Sequence, residues 1–241
     1  MEQLKARLMG LVADLEVQQH SMIMQRLDDL VSVYPFNEYE FLISSLMGYQ
    51  KISLDDYYEL RDDYIARNLY LYIFEISAPR GFGEAWAQGH LKEIAPELIK
   101  PTKKLDADYA GQYDFLLDDV IKIEVKASRA VDFDSSEPLY VKALAFDSNK
   151  RFDMNFQQVK PACCDVFVWV GVWRDVIKYW ILSAREVQNN RYYSAGQHRG
   201  NVGEGQLHVK NSNITEFMCY QSTPRDLILN IRAAYQRQYT Q

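Results

Sequence analysis

The most informative part of the chain is residues 113–128, which have the sequence YDFLLDDVIKIEVKAS. Its second half alternates apolar and polar residues, the pattern of a β-strand with one buried face. Three aliphatic residues then point to the core, and the opposite face carries Glu124 and Lys126 two positions apart. The first half, residues 113–117, predicts a preceding strand that forms a hairpin with residues 120–127.

The length of the hairpin loop decides where Asp114 points. A two-residue turn at Asp118 and Asp119 pairs Asp114 with Ile123, which turns the carboxylate of Asp114 away from Glu124. A three-residue connection over 118–120 pairs Asp114 directly with Glu124, so that both carboxylates share one face. Two facing carboxylates are useful chemistry, and we therefore predict a three-residue loop or a bulge at this point.

Two converging carboxylates repel each other, and a divalent cation relieves that repulsion. Mg²⁺ prefers carboxylate oxygens together with several waters, and Mn²⁺ is expected to substitute for it. A bound metal lowers the pKa of a water and neutralises charge that develops on a phosphate. Lys126 is positioned to orient or deprotonate that water and to stabilise negative charge. These are the groups that phosphodiester hydrolysis requires.

The pattern of Asp114, nine residues, and then Glu124-x-Lys126 resembles the catalytic signature of the PD-(D/E)xK nuclease superfamily. Tyr113 stands where the motif that gives the family its name has proline. The resemblance implies an α/β fold with a restriction-endonuclease-like core, in which helices flank a mixed central β-sheet. It also implies catalytic roles for Asp114, Glu124, Lys126 and a carboxylate on the preceding helix.

That helix carboxylate is Glu84 in the reading that fits the spacing best, and Glu93 is the alternative. The resemblance makes Asp114, Glu124 and Glu84 the metal ligands. In this family the helix after the third core strand often carries a glutamine near the site. Gln157 and Gln158 are therefore candidate DNA-binding residues on a predicted helix near residues 155–160.

The size of the chain, the absence of a Walker-type motif and the segments on both sides of the core most resemble a Type II restriction endonuclease. The implied activity is Mg²⁺-dependent, sequence-specific cleavage of double-stranded DNA within a restriction-modification system. A palindromic target implies a homodimer, because the symmetry of the site matches that of the protein. The alternatives are a repair or defence nuclease without strict specificity, and an inactive DNA-binding module.

A glycine-rich polar segment near residues 190–210 is the candidate specificity loop. It contains five side chains that suit DNA contacts: Gln197, His198, Arg199, Asn201 and Gln206. Arginine pairs well with guanine, and asparagine or glutamine with adenine, in the major groove. An ordinary polar loop and a phosphate clamp remain the alternatives.

We divide the chain into an N-terminal helical region, residues 1–78, and a nuclease core, residues 79–241, that ends in a closing helix. Residues 4–31 have a 3.6-residue apolar period, and Ser53 begins a helix predicted to end near Phe74. This region serves packing, dimerisation or DNA contact. A second helix is predicted over residues 84–99.

Further strands are predicted at residues 139–146, 166–173 and 177–182, and residues 194–206 are predicted to be a loop. A capping box at Ser183 predicts a short helix, and Thr223 precedes the closing helix.

The composition limits the class of protein. The 241 residues carry a net charge of −6 and three cysteines, and we find no apolar run of the ~18 residues that a membrane span needs. An odd cysteine count, with two residues adjacent, favours neither a disulfide framework nor a zinc site. We expect a cytoplasmic protein without a membrane partner. Most of the basic excess lies in residues 151–241, which carry net +4.

Overall fold

The computed structural model describes the backbone of residues 2–28, 36–77, 81–196 and 203–240, and the side chains of residues 6–25, 39–77, 81–83, 85–196 and 203–239. Over these residues the chain is a mixed α/β structure in which helices flank a mixed sheet, as predicted. No helix in the described ranges is long and apolar enough to cross a membrane.

Four helices come first, and these are α1 (Glu2–Val12), α2 (Val17–Asp28), α3 (Phe36–Gly48) and α4 (Leu54–Arg67). The predicted start of α4 is confirmed, because Ser53 and Asp56 form a reciprocal capping box. Its predicted end is wrong: α4 stops at Arg67, and a short 3₁₀ helix follows at Leu71–Glu75.

The next helical segment is a π-helical turn, Gly81–Ala87, that continues into α5 (Gln88–Ile94). The prediction that this helix reaches Ile99 is wrong. Ala95 has φ −139° and ψ 74°, which is not helical, and it precedes Pro96. Proline disfavours the helical conformation in the residue before it, so the helix ends here. The remaining helices are α6 (Ala184–Gln188), which Ser183 caps as predicted, and α7 (Leu227–Thr240).

The described residues contain eight strands. In chain order these are β1 (Phe115–Leu117), β2 (Ile121–Arg129), β3 (Asp153–Val159), β4 (Val166–Val172), β5 (Ile177–Ser183), β6 (Tyr193–Ala195), β7 (Gly205–Lys210) and β8 (Gln221–Ser222). The main sheet has the order β1-β2-β4-β5-β8, in which only the β2–β4 pair is parallel. A second sheet has the order β3-β7-β6 and is antiparallel throughout.

The main sheet is buried on both faces. On one face, Ile123 and Val168 share a core with apolar residues of α1–α4 and with Leu227 and Ile231 of α7. On the other face, Phe167 and its neighbours pack against the inner face of the second sheet. The layers are therefore helices, main sheet and second sheet. β4 is buried at every position, which explains its continuous apolar sequence.

Three expectations for residues 139–206 are wrong in whole or in part. Residues 139–146 form turns with one isolated bridge between Val131 and Ala143, instead of a strand. The predicted helix near residues 155–160 is the strand β3, because Met154 and Phe156 alternate with polar residues. Part of the predicted loop 194–206 belongs to the strands β6 and β7.

Candidate active site

The β1–β2 hairpin has the register that brings Asp114 and Glu124 together. Phe115 pairs with Ile123 and Leu117 with Ile121, which leaves residues 118–120 as the connection. The prediction of a three-residue connection is thus confirmed. Asp118 and Asp119 have φ 52° and 59°. Aspartate visits this left-handed region more readily than most residues, which is why the turn forms here.

Asp114 lies just before β1 and directly opposite Glu124. Its amide donates a hydrogen bond of 2.8 Å to the carbonyl of Ile123. Its Oδ2 accepts a second one, also 2.8 Å, from the amide of Val125. Both contacts fix the carboxylate on the face of β2 that carries Glu124 and Lys126. This is the same face of the main sheet that packs against the second sheet.

Burial raises the pKa of both carboxyl groups, and the charge of Asp114 raises that of Glu124 further. Desolvation is the main cause for Asp114, whose pKa is raised although the amide of Val125 and two lysines oppose the shift. For Glu124, desolvation and the charge of Asp114 raise the pKa to about 7, against the attraction of Lys126. A hydrogen bond joins the two groups, and its effects place the proton on Glu124. At neutral pH this pair therefore readily holds a proton or another cation.

Lys126 completes the predicted cluster. Its Nζ lies 2.7 Å from Oε1 of Glu124, and the two side chains are only 16% and 18% exposed. An ion pair this buried has lost much of its hydration, so it is weak evidence for a stabilising role. Together with Asp114 it presents one ammonium beside two carboxyl groups in a site that is largely shielded from water.

Gln88, at the start of α5, is a site residue that the sequence reasoning missed. Its Nε2 donates a hydrogen bond to Oδ1 of Asp114, and its Oε1 accepts one from Nζ of Lys100. Gln88 lies four residues after Glu84, or roughly one helical turn. That spacing from the predicted helix carboxylate was the available signal.

The helix carboxylate itself has no test in this structure. Glu84 belongs to the π-helical turn, but its side chain lies outside the described residues. The alternative, Glu93, is exposed on α5. Among the described side chains, no group of three histidine, cysteine or acidic residues is close enough to hold a metal.

The second sheet contributes a lysine at the border of this site. Lys160 follows β3, and its Nζ lies 2.9 Å from Oε1 of the nearly buried Glu204. The charge of Glu124 also raises the pKa of Lys160, although Glu204 is the main cause. Cys164 is buried nearby, and its thiol also has a raised pKa. The second sheet therefore comes close to the β1–β2 hairpin at the end of β3.

The candidate DNA-binding residues divide into two groups. Gln197, His198, Arg199 and Asn201 lie outside the described residues. The segment that contains them connects β6 to β7, and Gly196 donates a 2.8 Å hydrogen bond to the carbonyl of Glu204 where that segment begins and ends. Gln157 and Gln158 are exposed on β3, which is a strand where a helix was predicted.

The donor atoms of the site suit a hard divalent cation. Asp114 and Glu124 offer only carboxylate oxygens, and because burial leaves their negative charge poorly hydrated, a bound cation would stabilise the ionised form. Oxygen donors of this kind fit Mg²⁺ or Mn²⁺ better than a thiolate-binding metal. No family model, curated protein or solved structure matches the chain.

Proposed function

We propose that the protein is a Mg²⁺-dependent deoxyribonuclease that hydrolyses phosphodiester bonds in double-stranded DNA. The observation that carries this proposal is the convergence of Asp114, Glu124 and Lys126 on one shielded face of the main sheet. A restriction-endonuclease-like core fits the order in which this face is built. A helix precedes the hairpin, and β4 returns parallel to β2. The proposal extends to a sequence-specific Type II restriction endonuclease that acts in the cytoplasm as a homodimer.

In this proposal Asp114 and Glu124 hold the metal, with Glu84 as a further ligand. When bound, Mg²⁺ supplies charge neutralisation and a more acidic water. Gln88 and the amide of Val125 orient the carboxylate of Asp114, which fixes its oxygens before DNA arrives.

Lys126 serves the reacting phosphate. Its Nζ is held beside Glu124, where an ammonium orients the attacking water and stabilises negative charge on the phosphate oxygens. The oxygen of that water forms a bond to phosphorus, and one phosphate ester bond breaks. A proton from the water finally reaches the leaving alkoxide. The surrounding protein excludes most bulk water, which strengthens these interactions.

The decisive experiment is a cleavage assay on phage DNA with the purified protein, in Mg²⁺ and in EDTA. Discrete fragments formed only with Mg²⁺ support a sequence-specific endonuclease. A smear with Mg²⁺ supports a nuclease of low specificity. Intact unmodified DNA from several sources, with Mg²⁺ and with Mn²⁺ at several salt concentrations, contradicts the enzymatic proposal.

A DNA-binding module on an inactive core is the second candidate. The 2.7 Å contact between Lys126 and Glu124 favours it, because that ion pair already occupies one oxygen of the proposed metal ligand. The same assay separates the two candidates, since a binding module retards DNA in a gel but leaves it uncut.

A further inference from the structure

The outer face of the second sheet is a row of hydrogen-bonding side chains. Alternation along β3 and β7 puts Met154, Phe156, Leu207 and Val209 in the core, so that their polar neighbours point outward. Those polar neighbours are Asp153, Asn155, Gln157, Gln206, His208 and Lys210. One end of the row is neutralised internally, because Asp153 contacts both His208, at 2.6 Å, and Lys210, at 3.0 Å.

The other end of the row is a cluster of amides at a β-bulge. Phe156 pairs with Leu207 and Val159 with Gly205, so Gln157 and Gln158 together oppose the single residue Gln206. Gln158 has φ 54°, which marks the irregularity. Bulges of this kind redirect side chains and are frequent beside active sites.

Two amides of this cluster reach the outer surface. Gln157 is exposed, and Gln206 is partly exposed. Asn155 donates from Nδ2 to Oε1 of Gln206 at 3.2 Å, which holds the Gln206 carboxamide in place. The Oδ1 of Asn155 is buried, so Asn155 supports this surface from below. The cluster therefore presents the carboxamides of Gln157 and Gln206 side by side.

The position of the cluster ties it to the candidate active site. Lys160 follows the bulge by two residues, pairs with Glu204 and is influenced by the charge of Glu124. Lys210 lies at the opposite end of the β3–β7 pair, about 20 Å away at roughly 3.3 Å per residue. The amides thus lie between two half-exposed lysines, whose side chains are 47% and 45% exposed and which each pair with a carboxylate. The neutral amides between them are the groups that suit contact with base edges.

We propose that Gln157 and Gln206 form a base-reading surface that selects adenine in the major groove of duplex DNA. A carboxamide donates to N7 and accepts from N6 of adenine, and the major groove admits a two-stranded β-ribbon. This inference rests on the proposed function for its substrate class. It adds the residues that choose the sequence and the base that they choose.

The test is selection of bound duplexes from a randomised DNA library, using the full chain with Glu124→Ala so that DNA stays intact. Gln157→Ala and Gln206→Ala are each added to that background. The matched control is Gln221→Ala, an exposed strand glutamine on β8 of the other sheet. The expected result is a bound motif with a fixed adenine, whose preference falls on the order of tenfold in the two test variants and not in the control.

The inference is overturned if no motif is enriched, if the motif lacks adenine, or if both test variants select the same motif as their parent. Thermal unfolding of each variant verifies the fold, and exposed Gln157 keeps the test valid if Gln206→Ala is unstable. Plasmid cleavage by the unmodified chain in Mg²⁺ tests the proposed function separately. Cleavage with an unchanged motif leaves the nuclease and removes the reading surface. An adenine motif without cleavage supports the reading surface and contradicts the proposed nuclease activity.

Discussion

The two sheets each contain a lysine–carboxylate contact, and the two contacts differ in what surrounds them. In the main sheet, Glu124 lies 2.7 Å from Lys126, and Asp114 adds a second carboxyl group. In the second sheet, Asp153 lies 3.0 Å from Lys210, and the additional neighbour is His208. The first cluster has two buried carboxyl groups beside one ammonium. In the second cluster, the ammonium of Lys210 offsets the carboxylate charge of Asp153.

This difference in charge balance distinguishes the candidate active site from the outer face of the second sheet. A buried excess of carboxyl groups raises their pKa and opposes folding at neutral pH, so it is poorly explained as a stabilising device. The balanced cluster needs no additional ion. What remains available on the second sheet is the neutral amide group around Gln157. The main sheet therefore carries the buried acidic cluster on which the proposed metal site rests, and the second sheet carries the exposed amides of the proposed reading surface.

The largest expected effect is the loss of cleavage on removal of Glu124. Glu124→Ala should reduce the rate of plasmid cleavage in Mg²⁺ by about 10³-fold or more, because a metal ligand is lost. Binding of DNA should be kept or improved, since a negative charge is removed. The matched control is Asp118→Asn in the turn of the same hairpin, where the aspartate pairs with Arg232 and is exposed. Equal cleavage by both variants would contradict the assignment of Glu124.

The next effect compares the packing of the two sheets. A Cβ added to Gly171 of β4 would lie 2.6 Å from the buried ring of Trp180, and one added to Gly205 of β7 would lie 2.4 Å from the ring of Tyr193. Gly171→Ala should cost about 1–3 kcal/mol, because its surroundings are buried and cannot move. Gly205→Ala should cost less, since Tyr193 is partly exposed and can rotate outward. Urea unfolding measures both, and a larger loss for Gly205→Ala would contradict this comparison.

The pH dependence of the free energy of unfolding tests whether the buried carboxyl group of Glu124 has a raised pKa. The pKa of Glu124 is raised in the folded state from 4.5 to about 7, so the folded state binds the proton more tightly than the unfolded state does. This contribution is complete below pH ~4.5 and is lost as the pH rises through about 7. Glu124→Gln should remove that loss, which is on the order of 1–3 kcal/mol. Urea unfolding in EDTA between pH 5 and 8 measures it, and parallel pH curves for variant and parent would show that the pKa of Glu124 is not raised in the folded state.

The smallest effect concerns the orientation of Asp114. Gln88→Ala removes the donor to Oδ1 of Asp114, and we expect a rise of about tenfold in the Mg²⁺ concentration needed for half-maximal cleavage. The maximal rate should change less, because Gln88 acts through Asp114. The control is Gln188→Ala, an exposed glutamine on α6. If Gln88→Ala lowers the maximal rate without changing the Mg²⁺ requirement, the positioning role is refuted.

The sequence predicted the β1–β2 hairpin well because its signals are local. Alternation fixed the faces of β2, and the requirement that Asp114 meet Glu124 fixed the length of the connection, which the structure confirms. The buried strand β4 and the capped helix α6 were also predicted, since the pattern that specifies each lies within one short segment.

The errors arose where distant segments decide the structure. Residues 155–160 are a strand because β7, some fifty residues later, supplies the partner for β3. Gln88 was missed because its contact with Asp114 spans 26 positions of the chain. Polar periodicity alone does not distinguish a helix from an edge of a second sheet when the partner strand is unknown.

The sequence by itself determined which side chains share the face of β2, because the two-residue period of a strand leaves no choice. Only the tertiary structure decided how readily those side chains hold a proton. The raised pKa of Glu124 requires that the face be shielded from water and that Asp114 lie opposite. Shielding and charge proximity depend on how distant segments pack, and desolvation is a property of the assembled layers.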